Sequence, residues 1–159
     1  MLKLSWLISL GISLIGFLII ESFFTIQPEG SSGSGNLGAV GIALVLPFLL
    51  LSLYTTYRYF STLLGQSTDT LNRVLILVSS IVLFGVFLYF SNEYRTDVID
   101  SLGGPTTDPN SKIYQYPLLN QFTNSIFFNF YTFGLIHTIS GVIGGLVGWI
   151  RPKKEESPK

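Results

Sequence analysis

At 159 residues the chain is one domain by length, and only 11% of its residues are charged, against about 25% in an ordinary soluble domain. Helices this poor in charge have no solvated outer face, so the composition points away from a soluble bundle and towards an integral membrane protein. Formal net charge is zero and cysteine is absent, which excludes a basic nucleic-acid surface, disulfides, thiolate metal sites and thiol catalysis, while a single His leaves no ligand set for a dedicated zinc site.

Four apolar runs follow in chain order. A helix rises about 1.5 Å per residue, so roughly 20 residues cross a hydrocarbon core of about 30 Å. The first run is free of charge from Leu4 to Ile20 and stays apolar past Glu21 through Phe23, Phe24 and Ile26, predicting a span over 4–26. A cleaved signal peptide is the alternative there. Lys3 supplies a charged start, but the apolar stretch outruns the usual length of roughly 7–15 residues and no small-residue cleavage site follows it. A retained anchor helix is therefore expected. Ser5, Ser9, Ser13 and Gly16 recur every three or four residues on this helix, a narrow stripe of small side chains that lets another helix approach closely.

The link from Gln27 to Asn36 holds Pro28 and the run Gly30 to Gly35, a flexible hydrophilic segment that ends on Asn36 as a candidate N-cap. The second span, 37–60, contains Pro47 after Gly38 and Gly41. A proline inside a helix removes one backbone bond and predicts a kink. The freed carbonyl would suit a cation or a hinge, but kinks that only aid packing are common in membrane helices. A short turn with Gly65, Gln66 and Asp69 leads to the third span, 73–92, with Asp69 or Thr70 as its cap.

The loop 93–122 is the one substantial segment between spans. Its first part has no helix breaker, and Phe90, Tyr94, Val98 and Leu102 recur every four residues before Gly103-Gly104-Pro105. The third helix is thus expected to continue about three turns past the membrane and stop at the glycines. Residues 106–115 should be irregular, with Pro117 opening the fourth helix at its first turn. The fourth span, 123–150, begins with Asn120, Gln121, Asn124, Ser125, Asn129 and Thr132 on one face, suggesting either a polar vestibule or hydrogen bonding between helices. On the opposite face Gly134, His137, Gly141, Gly144, Gly145 and Gly148 form a second small-residue seam. The tail 151–159, with Pro152, Pro158 and mixed charge, reads as disordered.

The seam should lie against a helix, because glycine facing lipid weakens a helix by up to about 1 kcal/mol relative to Ala and gains nothing. The Ser/Gly stripe of the first helix is the expected partner, closing the bundle; a copy of the fourth helix in a dimer is the alternative. Val142 is expected to face lipid. His137 sits on the seam about 21 Å from Arg151 along the axis. An ionisable group at that depth is a functional candidate, although a neutral His bonded to a hydroxyl or carbonyl would merely hold helix register. Glu21 falls at a similar depth and would pair with His137 if the first and last helices were neighbours, or else reach outward to the headgroups.

Orientation follows from Lys and Arg. With the N-terminus inside, Lys3, Arg58, Arg73, Arg151, Lys153, Lys154 and Lys159 lie inside, against Arg95 and Lys112 outside. Tyr54, Tyr57, Tyr59, Trp6 and Trp149 mark the same inner boundary. The reading is an all-α, integral membrane four-helix bundle with both termini in the cytoplasm and a short helical extension between helices 3 and 4. A bacterial plasma membrane is the expected location. Three functions compete. The first is a non-enzymatic subunit, assembly or interaction protein, partnered by lipid and by another membrane protein or a copy of itself, with no cofactor and no nucleic acid. The second is a small transporter or channel along His137, Pro47 and the amide face. The third is a haem or quinone protein with His137 as cofactor ligand.

Overall fold

The computed structural model describes residues 2–30 and 35–150. The Ser/Gly part of the first link and the tail 151–159 lie outside the described residues. Five helices are present among these: α1 (Leu2–Phe23), α2 (Gly38–Gln66), α3 (Thr70–Ser101), α4 (Asn124–Phe127) and α5 (Phe130–Ile150). Four helical stretches, α1, α2, α3 and Asn124–Ile150 taken together, are long and apolar enough to cross a membrane.

The helix ends follow from local chemistry. At the end of α1, Phe24 N–H and the Thr25 hydroxyl both donate to Ile20 O (3.2 and 2.9 Å), so the helix closes at Phe23, short of Ile26. Asn36, two residues before the start of α2, accepts from Gly38 N–H through its Oδ1 (3.0 Å). That helix passes through Pro47 without interruption. Asp69 caps α3 by accepting from Leu71 N–H (2.9 Å). α3 then runs 32 residues to Ser101, where Gly104 N–H bonds Ile99 O and Gly103 N–H bonds Asp100 O, both at 3.0 Å. This is a Schellman ending. Its positive φ values of 84° and 121° at Gly103 and Gly104 are the reason glycines stand there.

The fourth span differs most from its expectation. Pro117 does not open a helix: residues 117–123 are turns, and the first helical turn begins at Asn124. The helix then breaks at Phe128–Asn129 and restarts at Phe130. Asn129 explains both the break and the restart. Its Oδ1 accepts from Tyr131 and Thr132 N–H (2.8 and 2.9 Å), while its Nδ2 donates to Ser125 and Ile126 O (2.6 and 3.2 Å). One buried amide thus terminates α4 and caps α5.

The helices do not close into the expected bundle. α2 is central, with α1 along one face and α5 along the next, and α3 packs on α5. α1 and α5 meet only locally, around the Phe17–Phe133 ring contact (centroids 5.3 Å). The main core is Phe17, Leu49 and Phe133, with Leu10, Leu14, Val45 and Ile136 packed around it. A second core, Leu102, Ile113 and Phe122 with Ile26 and Val98, organises the loop between α3 and α4. Lys112 Nζ staples that loop to the α1–α2 link by donating to Pro28 and Gly30 O, both at 2.6 Å. We call this unit, residues 102–123, the cap. Outside these contacts much of the helix surface is apolar. α3 is the barest, with Val74, Leu75, Val78, Ile81, Val82 and Val86 all exposed.

Candidate functional site

Two small-residue surfaces converge on α2. From α1, Ser9, Ser13 and Gly16 are buried against it, and Ser5 lies exposed at the start of the stripe. Ser9 Oγ is 3.0 Å from Thr55 Oγ1, and Ser13 donates to Ser52 Oγ (3.0 Å). Gly16 lies against Val45, and Trp6 Nε1 donates to Thr56 Oγ1 (2.9 Å) while stacking on Tyr59. Thr55 and Thr56 donate to Leu51 and Ser52 O within α2 and so stand as acceptors across the interface. The matching row Ser52, Thr55, Thr56 on α2 escaped the sequence reading. Its signal was available, since three hydroxyls at spacings of three and one in an apolar run share a face.

The glycine seam of α5 meets α2 and α3, so the expected partner, the first helix, is corrected. Gly144 lies on the main chain of Tyr57 and Gly148 on that of Ser61. Gly141 faces the Phe60 ring, Gly145 faces Leu64 and Leu77, and Gly134 sits under Phe87 of α3. The Ser140 hydroxyl adds a bond to Leu53 O (2.7 Å). At Tyr57 and Ser61 it is the main chain of α2 that meets the seam. That cannot be read from a list of residue types. Val142, expected to face lipid, is half-buried, whereas Ile143 and Leu146 are exposed.

His137 joins the two surfaces. Its Nδ1 lies 2.8 Å from Phe133 O and its Nε2 2.9 Å from Ser52 Oγ. A carbonyl only accepts, so Nδ1 carries the proton. In the neutral ring Nε2 therefore accepts from Ser52, which in turn accepts from Ser13. One chain of hydrogen bonds thus runs from α1 through α2 to α5. Removing a member strands its neighbour. A double-mutant cycle of Ser52→Ala with His137→Phe, followed by denaturation in detergent, should return a coupling of about 1 kcal/mol, the upper part of the range for polar pairs in membrane helices. Strict additivity of the two changes would show that the bond does not contribute.

The structure does not bring Glu21 and His137 together. Glu21 is half-buried and lines a separate cavity with Thr25, Tyr94, Asp97 and Ser125, the Tyr94 hydroxyl standing beside it. Nor does His137 present a free nitrogen. A haem iron would need the Nε2 lone pair that the Ser52 hydroxyl occupies. The cavity beside His137, about 170 Å³ between Trp6, Phe60, Phe87 and Gly134, is smaller than the roughly 300 Å³ at which small-molecule pockets begin. Among the described residues no three His, Cys, Asp or Glu side chains are grouped to hold a metal. Pro47 is exposed, as is Ala43, whose carbonyl it leaves without an intrahelical donor, so the freed oxygen lines no interior path.

The amide face is likewise spent on structure. Asn124, fully buried, donates to Phe24 O (3.1 Å) and to Asn36 Oδ1 (2.7 Å), and its own Oδ1 accepts from Asn36 Nδ2 (3.2 Å). Gly38 is required here because a Cβ would collide with the Asn124 amide. Asn120 donates to Pro117 O (2.8 Å) and accepts from Phe122 N–H (2.9 Å). These bonds, with Ile26 N–H to Gln121 O (2.8 Å), tie the end of α1, the start of α2 and α4 into one knot beneath the cap. At the opposite end Arg73 reaches Trp149 O (3.1 Å) and lies over its ring, satisfying a terminal carbonyl of α5.

Comparison with protein-family models, curated proteins and solved structures gives no match to this chain.

Proposed function

We infer that this chain is a multi-pass protein of the cell membrane that works without catalysis, as a subunit or assembly partner of a membrane complex docked through its cap. The observation that carries this reading is the surface of the cap. It is built on its own apolar core and held by Lys112, yet Tyr114, Tyr116 and Leu119 are exposed on it and Leu118 is 72% exposed. An ordered surface of aromatic and leucine side chains at the polar end of the helices is the composition of a protein interface. Further support comes from the interior, where His137, Asn124 and Asn129 use their hydrogen bonds to join helices. The distribution of Lys and Arg supports both termini facing the cytoplasm and the cap facing outward.

Extraction of the chain from its native membranes in mild detergent should yield a complex larger than the chain in its micelle. Leu118→Asp combined with Tyr114→Ala should release the chain from it with little loss of thermal stability, since both positions are exposed. A reporter after Thr107 should read as external, and reporters after Gln66 and at the C-terminus as cytoplasmic. A complex that survives the double substitution sinks the docking surface, and a cytoplasmic Thr107 reporter sinks the orientation.

A further inference from the structure

The outer turns of α3 separate two cavities of opposite character. On one face Tyr94, Asp97 and Ser101 border the acidic cavity that also holds Glu21. On the other, Leu88, Asn92, Arg95 and Ile99 border a cavity of about 420 Å³ whose far wall is Ile126, Phe127 and Leu135. Its volume lies within the roughly 300–1,000 Å³ of ligand pockets. The lining changes along the helix. From Leu88 to Ile99 α3 rises about 16 Å, passing from an unbroken apolar run into Ser91, Asn92 and Arg95. The cavity therefore straddles the boundary between the apolar and polar parts of the helix, with an apolar floor and a cationic rim.

Arg95 is the one cation at that rim, and it is unspent. Lys112, the other basic residue of this end, is held by Pro28 and Gly30 O and lies over the Phe122 ring. Arg95 is exposed and has no hydrogen-bond or ion-pair partner among the described residues. Asp97, two residues on, faces the other cavity, because side chains at i and i+2 of a helix point apart. A ligand here thus meets a guanidinium and the Asn92 amide without a carboxylate across from them. Guanidinium groups bind phosphate through paired, charge-assisted bonds.

We propose that this cavity is a site for one anionic phospholipid of the surrounding bilayer, with an acyl chain against Leu88, Phe127 and Leu135 and its phosphate on Arg95. The proposal rests on the membrane reading above but not on the partner at the cap, so the two fail separately. Free phosphate does not suit the site, because most of its wall is apolar and a single exposed arginine holds a small anion weakly. A zwitterionic lipid carries its own cation, which competes with Arg95 for the phosphate.

The test is native mass spectrometry of the full chain in detergent, titrated with phosphatidylglycerol or phosphatidylcholine. The expected result is one phosphatidylglycerol retained per chain at about tenfold lower concentration than phosphatidylcholine, with a matching rise in Tm. Arg95→Gln should abolish the preference and Arg95→Lys should keep part of it. Both should fold normally, since the side chain is exposed and unbonded. Leu88→Trp, at a position 48% exposed, should fill the cavity and reduce retention of both lipids without disturbing the core. Equal retention of the two lipids by the unaltered chain, a preference that survives Arg95→Gln, or displacement of the lipid by millimolar inorganic phosphate or by oleate would each overturn the proposal.

Discussion

Gly144→Ala should destabilise the protein by about 2–3 kcal/mol, whereas Gly141→Ala on the same seam should be close to neutral. A Cβ at Gly144 would overlap the Tyr57 carbonyl oxygen and come within 2.9 Å of Tyr57 Cα and 3.0 Å of its carbonyl carbon. These are backbone atoms of the central helix, which is also held by Ser140 to Leu53 O and by the contact of Gly148 with Ser61. α2 cannot retreat at one point without opening the seam along its length. Overpacking of this kind typically costs about 1–3 kcal/mol, and backbone against backbone belongs at the top of that range. The better helix propensity of Ala offsets at most about 1 kcal/mol. At Gly141 the added methyl meets the Phe60 ring at 3.4 Å, an ordinary contact, and at Gly85 of α3 it meets nothing within 4 Å. Denaturation of the three variants in one detergent gives the comparison. If Gly144→Ala unfolds with Gly85→Ala, the helices are not packed on their backbones.

Asn129→Ala should cost more than any other single polar substitution in the chain, about 3 kcal/mol or above. The side chain is fully buried and makes four bonds, two to N–H groups that begin α5 and two to carbonyls that end α4. Each buried backbone group left without a partner costs about 1–3 kcal/mol, and no water is at hand to replace the amide in an apolar setting. Asn129→Asp separates the two halves of the role. The carboxylate keeps the cap on Tyr131 and Thr132, but it presents an acceptor to Ser125 O and Ile126 O, so it should be at least as damaging as Ala. Asn129→Ser should recover part of the loss through a shorter cap. Asn72→Ala, at an exposed position of α3, sets the baseline. An Asn129→Ala variant as stable as Asn72→Ala would mean that the helix break is not held by this amide.

These two residues also mark the limit of what the sequence by itself determines. Long, predominantly apolar runs with almost no charge determine four long helices, because a peptide group without water must bond within its own segment. Local signals set several ends as well: Asp69 starts α3, and Gly103-Gly104 stop it, because only a positive φ satisfies the terminal carbonyls of that helix. Small-residue stripes at spacings of three and four likewise announce a close approach, since periodicity is a property of one helix. Which helix fills each seam is a property of two. The glycines of α5 and the serines of α1 are equally suited to each other, and their meeting with α2 depends on where its main chain is bare at Tyr57 and Ser61 and where its hydroxyls Ser52 and Thr55 stand. His137 was legible as buried, but its partners Ser52 and Phe133 O were not, and the pairing with Glu21 failed because α1 and α5 diverge outside the Phe17 contact. The break at Asn129 was hidden for the same reason. In sequence it is one more amide in an apolar run, and only burial among four backbone groups makes it both the end of one helix and the start of the next.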